Sequence, residues 1–207
     1  MRKLLFLPAV LIFGLASCST RNVSVQQSSQ AEEGVVINGV RWATRNVDAP
    51  GTFAATPESA GMLFQWSRRQ GWNATDEAIP SDWDSTLPAA GTEWTRANDP
   101  CPQGWRMPTE TELHSLNNAG SVWTSRNGVN GRVFGTYPYQ IFLPASGGRN
   151  RTGALIFVGV YGGYWSSTQL GSAPAVALGL GSIGVGVGND WQQFGGGLAL
   201  LVRCVAI

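Results

Sequence analysis

The 207-residue chain is short of the groups that charge-driven and imidazole chemistry require. It has one lysine (Lys3), one histidine (His114) and three cysteines, and only 13% of its residues are charged. Fourteen basic against thirteen acidic residues leave a formal net charge of +1. That balance argues against nucleic acid as a partner, because such binding usually needs a basic face. Imidazole-based nucleophilic catalysis places the ring beside Ser or Cys, with an acid to orient it. Nothing around His114 marks it for that role, so it reads as a surface or partly buried helix residue. Long apolar runs are absent too. The stretch from Leu4 to Leu15 falls short of the roughly 20 residues a membrane-spanning helix needs. What the chain has instead is 27 glycines and 9 tryptophans, with many Ser and Thr. Such a composition suits a β-rich, loop-rich fold rather than a helical bundle, at a length suited to one domain.

The N-terminus is laid out as a secretory signal. Arg2 and Lys3 precede the apolar run, and small residues Ala16 and Ser17 end it just before Cys18. The run Leu15-Ala16-Ser17-Cys18 resembles the lipobox of bacterial lipoproteins. That resemblance implies removal of residues 1–17, acylation of Cys18 and attachment to a membrane through more than one acyl chain. The alternative is an ordinary signal peptide cut nearby. Residues 18–34 then form a lipidated N-terminus and polar tether, rich in Gln and Ser and without apolar periodicity. Removal of the signal takes the only lysine with it.

With Cys18 assigned to lipid, Cys101 and Cys204 remain. An even remainder in an oxidising compartment predicts one disulfide. The alternative is two buried thiols. A zinc site needs three or four Cys, His or acidic ligands, and too few remain once these two are paired.

Order is expected from Val35, in a domain covering residues 35–207. Val35-Val36-Ile37 and Val40-Arg41-Trp42 flank Asn38-Gly39, which fits a type I′ hairpin turn. Residues 61–66 lean to strand, and residues 72–100 read as long surface loops. After Pro108, Thr109 and Glu112 spell a capping box, Leu113 and Leu116 share a face, and Gly120 can end a short helix. Ile141-Phe142-Leu143-Pro144 and residues 164–168 read as buried strand. In residues 176–188, Leu178 and Leu180 alternate with Ala177, Gly179 and Gly181. Val185 and Val187 alternate with Gly184, Gly186 and Gly188. This period of two, broken near Ser182, predicts a hairpin with one bare face. Residues 198–206 read as the last strand.

Several segments carry a family likeness. Cys101-Pro102-Gln103-Gly104-Trp105-Arg106-Met107-Pro108-Thr109, Tyr164-Trp165-Ser166-Ser167-Thr168 and Val202-Arg203-Cys204-Val205 resemble the Fibrobacter succinogenes major paralogous domain. Arg41-Trp42-Ala43-Thr44-Arg45-Asn46-Val47, Val129-Asn130-Gly131-Arg132 and Phe142-Leu143-Pro144-Ala145 extend the likeness across nearly the whole domain. It implies an α+β, C-type lectin-like fold: mostly antiparallel strands and long loops with one or two short helices, in a surface lipoprotein of a Bacteroides-like bacterium. The stretch around Gly104-Trp105-Arg106 is also similar to formylglycine-generating enzymes. Those need a catalytic cysteine pair near the C-terminus, where only Cys204 lies. Some lipoproteins of this fold are targets of diversity-generating retroelements, which rewrite a window corresponding to residues 169–201. Here Ala199-Leu200-Leu201 stands where relatives carry Gly-Phe-Ser, a departure that fits rewriting and drift equally.

Other motifs carry less. Gly179-Leu180-Gly181-Ser182-Ile183-Gly184 spells G-x-G-x-x-G, but no helix can open at the Val-Gly-Val-Gly that follows, so it is no dinucleotide fingerprint. Asn189-Asp190 is a fragment of a lectin calcium site without its partner motif, and reads as a turn. No metal or other cofactor is expected. Trp42, Trp66, Trp105 and Trp165 read as core. Among the loop tryptophans, Trp191 stands out, in Asn189-Asp190-Trp191-Gln192-Gln193-Phe194, where aromatic faces adjoin amides. The expected contact surface is Gln169 to Ser172, the small face at Ala177 and Gly179, and Asn189, Asp190, Trp191, Gln192, Gln193 and Phe194. Its expected ligand is an unidentified glycan or protein, bound without catalysis. The alternative is a fimbrial or envelope subunit packing that face against a partner. No hydrolase or oxidoreductase constellation is present.

Overall fold

The computed structural model describes residues 32–86, 94–169, 176–188 and 197–207. Its strands in chain order are β1 (Val35–Ile37), β2 (Val40–Trp42), β3 (Met62–Gln65), β4 (Gly71–Asn73) and β5 (Trp105–Arg106). After the helix α1 (Glu110–Asn118) come β6 (Ser121–Arg126), β7 (Val129–Thr136), β8 (Tyr139–Pro144), β9 (Gly148–Arg149) and β10 (Leu155–Ile156). The chain continues through β11 (Tyr161–Trp165), β12 (Ala177–Gly181), β13 (Val185–Gly188), β14 (Ala199–Leu200) and β15 (Val205–Ala206). The strands form four small sheets, ordered β1-β2-β15-β5, β10-β9-β14-β3-β4, β11-β12-β13 and β6-β7-β8. Every strand pair is antiparallel. The class is therefore antiparallel β with one short helix, in keeping with the expected α+β composition.

Local chemistry explains the elements. Asn38 and Gly39 have φ of 48° and 83°, the paired positive values that a type I′ turn demands. Thr109 caps α1: its hydroxyl accepts from the Glu112 N–H at 3.3 Å, and the Glu112 carboxylate accepts from the Thr109 N–H at 2.8 Å. Leu113 and Leu116 are buried, and Gly120 leaves the helix at φ 76°. The Cys101–Cys204 disulfide is formed, across a sequence separation of 103. Closing a loop of that length contributes about 4–5 kcal/mol in the chain-entropy model.

The segments 101–109 and 164–168 meet at the start of α1. Ser167 donates its backbone N–H to Pro108 O at 2.7 Å, and Thr168 Oγ1 accepts from the Glu110 N–H at 2.9 Å. The run from Tyr164 to Thr168 is thus not one strand. It leaves β11 after Trp165, and its hydroxyl residues dock the helix. The expected last strand is also divided. Leu201 N–H donates to Gly163 O, whereas Val202 O accepts from Val47 and Cys204 O from Ala43. The chain changes partner sheets within a few residues, so β14 and β15 cannot be continuous. Trp72, expected in a loop, lies on β4 and is buried.

With so little regular structure, many backbone carbonyls need donors, and buried arginines supply them. Arg149 is 1% exposed and donates to the carbonyls of Asn73, Asp76, Ala78 and Gly153. Arg132 donates from Nε to Gly181 O at 2.8 Å and from Nη2 to Ser182 O at 3.3 Å, holding the end of β12. The planar guanidinium presents five donors in a fixed fork that spans these separated carbonyls, and a lysine ammonium does not reproduce that spread. At the edge of the domain Glu32 accepts from Gly34 N, Thr44 N, Thr44 Oγ1 and Arg45 Nε. The compact unit accordingly begins at Glu32, three residues before the expected Val35.

Candidate functional site

The predicted hairpin is β12–β13, joined to β11 in one sheet. Leu178 pairs across with Tyr164 and Val187, and Leu180 with Gly162 and Val185. Leu178, Leu180 and Tyr164 are fully buried, and Val185 and Val187 pack on the same core. Behind this face the Tyr164 hydroxyl donates to Pro144 O at 2.7 Å, and burial pushes its pKa well up. The opposite face carries the row Gly163–Gly179–Gly186, with Gly181 and Gly188 beside it.

That second face is not uniform. At its Trp165 end, Ala177 is 2% exposed and packs with Trp165 in a second core cluster. Ala177 is therefore core, because its methyl fills space against the indole, and the expected contact surface loses it. Gly179 is half-buried. Along β13 and at Gly184 just before it the face is open: Cβ atoms built at Gly184, Gly186 and Gly188 would meet nothing within 4 Å among the described residues. β13 is also an outer strand, with no further strand paired to it among the described residues.

Gln169 is half-buried, just past the residues that dock α1. Cys18, Ser172, Asn189, Asp190, Trp191, Gln192, Gln193 and Phe194 lie outside the described residues. The 169–201 window is therefore only in part a surface. Val176, Ala177, Leu178, Leu180 and the run from Leu198 to Leu201 are buried, which leaves the β13 side and residues near Gln169 as its outward-facing described part.

Neighbouring groups bear on other chemistry. His114 sits on the outer face of α1 with Nε2 3.7 Å from Glu110 Oε1. Ser166 Oγ donates to Val176 O at 2.7 Å. No group of three or more His, Cys, Asp or Glu that could hold a metal occurs among the described residues. Nor is any helix among them long and apolar enough to cross a membrane.

The loop tryptophans illustrate what sequence reading leaves out. Trp94 is 8% exposed, edge-on to Trp66, with its Nε1 donating to Asn98 O. Trp83 packs against Trp72 and donates to Arg151 O. Long turn-rich segments thus carry their own aromatic cores, and only the density of tryptophan there hints at it. Comparison with family models, with curated proteins and with solved structures found no match to this chain.

Proposed function

We propose that this is a lipid-anchored protein of a bacterial cell envelope whose lectin-like domain binds a glycan or protein ligand without catalysing a reaction. The observation that carries the reading is the open glycine face of β13, the strand that residues 189–194 follow in the sequence. A face without side chains lets a ligand approach the backbone closely. Next in the sequence, Asn189, Asp190, Trp191, Gln192 and Gln193 supply amides, an acid and an indole suited to sugar or protein contact. The 103-residue disulfide loop supports an oxidising compartment, because such bonds persist outside the cytosol. The lipobox-like run ending at Cys18 supports the anchor, and the resemblance to surface lipoproteins supports a place at the outer membrane, exposed on its surface.

The test is a glycan and host-protein array probed with the full chain and with Trp191→Ala. Binding by the native chain, lost in the variant at unchanged melting temperature, supports the reading. No binding by the native chain contradicts it. Radiolabelled palmitate incorporated by the native chain but not by Cys18→Ser tests the anchor. The open outer edge of β13 favours a second reading, an assembly subunit that adds a partner strand there. Concentration-dependent self-association of the full chain, measured by analytical ultracentrifugation, would support that alternative. A reverse transcriptase gene beside a near-copy of codons 169–201 would establish diversification of the window.

A further inference from the structure

We infer a second recognition site, away from the glycine face, for a carboxylated sugar. Arg96 and Arg106, with Trp94, Met107, Thr109 and Ser167, line an open cleft of about 480 Å³. That is within the range of small-molecule sites, roughly 300–1,000 Å³. Two acids stand at the cleft, Asp99 in its lining and Glu112 behind Arg106, but their lone pairs are spent on the protein. Asp99 accepts from the backbone N–H groups of Cys101 at 2.9 Å and Met107 at 3.1 Å, and its side chain is only 7% exposed. Glu112 accepts from Arg106 Nη1 at 2.8 Å and Nη2 at 2.7 Å, and from Thr109. Arg106 is thereby committed to its partner.

Arg96 is not. Its Nη1 donates to Trp105 O at 2.6 Å and lies 3.4 Å from Asp99 Oδ2, which fixes the base of the guanidinium. Its Nε and Nη2 have no partner among the described residues, and its side chain is 56% exposed. A planar fork held at one corner, with donors to spare, matches a carboxylate in two-point fashion. The rest of the lining fits a sugar ring. Met107 and Trp94, both largely buried, form the apolar floor of the cleft, which leaves a small patch for a C–H face. Ser167 Oγ gives its proton to Pro108 O, so its lone pairs accept from a ligand hydroxyl. A cleft of this size takes one or two sugar rings, whereas an extended peptide needs a groove or a free strand edge. Because the two acids offset part of the arginine charge, binding is weak and salt-sensitive.

The test is calorimetric titration of the full chain with sodium glucuronate, with glucose, and with an N-acetylated dipeptide bearing a free carboxylate. Saturable glucuronate binding is expected, with none for glucose. Arg96→Gln should weaken it roughly tenfold or more, the loss of one charge-assisted pair, with a melting temperature within about 2 °C of native. Arg96→Lys, which keeps the charge but not the fork, should fall between the two and guards against misfolding of the first variant. Gly186→Thr should leave glucuronate affinity unchanged, so failure here and failure at the glycine face are separable. Absence of saturable glucuronate binding, or equal affinity in Arg96→Gln, overturns the site. Dipeptide binding as tight as glucuronate overturns the sugar assignment and makes the ligand a peptide carboxylate.

Discussion

Arg203 grips Asn46 from across the chain: its Nε and Nη2 both donate to Asn46 Oδ1, at 3.0 and 2.7 Å, over a separation of 157 residues. The same guanidinium donates to Ala43 O at 3.1 Å and to Phe142 O at 3.1 Å. It is 1% exposed. Burial lowers its pKa to about 10, opposed by the Tyr164 hydroxyl and the Glu32 charge, so it stays charged at neutral pH. One side chain thus ties the segment after β2, the end of β8 and the C-terminal segment together.

Arg203→Met should therefore destabilise the domain by about 2–4 kcal/mol, since it leaves three buried acceptors without a donor. Arg203→Lys should recover little of this, because an ammonium cannot span the same acceptors. Urea denaturation of the three proteins checks the order.

The disulfide makes an independent prediction. Non-reduced digests should yield the peptides of Cys101 and Cys204 linked, by mass spectrometry. Cys101→Ala with Cys204→Ala should lower stability by about 2–5 kcal/mol. Two alkylatable thiols in the native protein would contradict the bridge.

Acid should loosen the domain through two carboxylates. Burial alone would raise the Glu32 pKa, but hydrogen bonds from Arg45 and Thr44 outweigh it and hold the group below its ordinary value of 4.5. Glu112 is held low in the same way, burial being outweighed by Arg106 and Thr109. The native state therefore binds these protons less readily than the unfolded chain. The stability they contribute is complete above the ordinary glutamate value and is lost as pH falls through the lowered native values. Melting temperature measured from pH 7 to pH 2 should decline over that range. Glu32→Gln should start lower at pH 7 and decline less.

Two glycines in β-strands should respond oppositely to a side chain. At Gly186 a Cβ meets nothing within 4 Å among the described residues, so Gly186→Thr should leave the melting temperature unchanged or raise it. At Gly131 a Cβ would collide with Leu143 O and sit 2.6 Å from the Phe142 ring, so Gly131→Ala should destabilise. Thermal melts of both variants decide whether the β13 face is open.

Much of this fold was legible because local rules acted alone. The Asn38-Gly39 turn, the Thr109–Glu112 cap and the period-two alternation of residues 176–188 need only near neighbours. What the sequence hid is long-range. That Ala177 is core depends on Trp165 lying beside it in the sheet. The division of residues 198–206 depends on two sheets competing for one segment. The roles of Arg132 and Arg149 depend on carbonyls of distant loops, and an arginine in a sequence does not announce that it is buried. Of the expected contact surface, the small face could be read from glycine spacing. The cleft at Arg96 could not, because its uncommitted donors are defined only by where Asp99 and Glu112 spend their lone pairs.

The central claim is that the β13 side of the domain binds a ligand. The most direct measurement is binding of the full chain to a glycan and host-protein array, repeated with Gly186→Thr and Trp191→Ala. Specific binding by the native chain is expected, lost in both variants while their melting temperatures stay within about 2 °C of native. Absence of binding by the native chain, or undiminished binding by both variants, would contradict it.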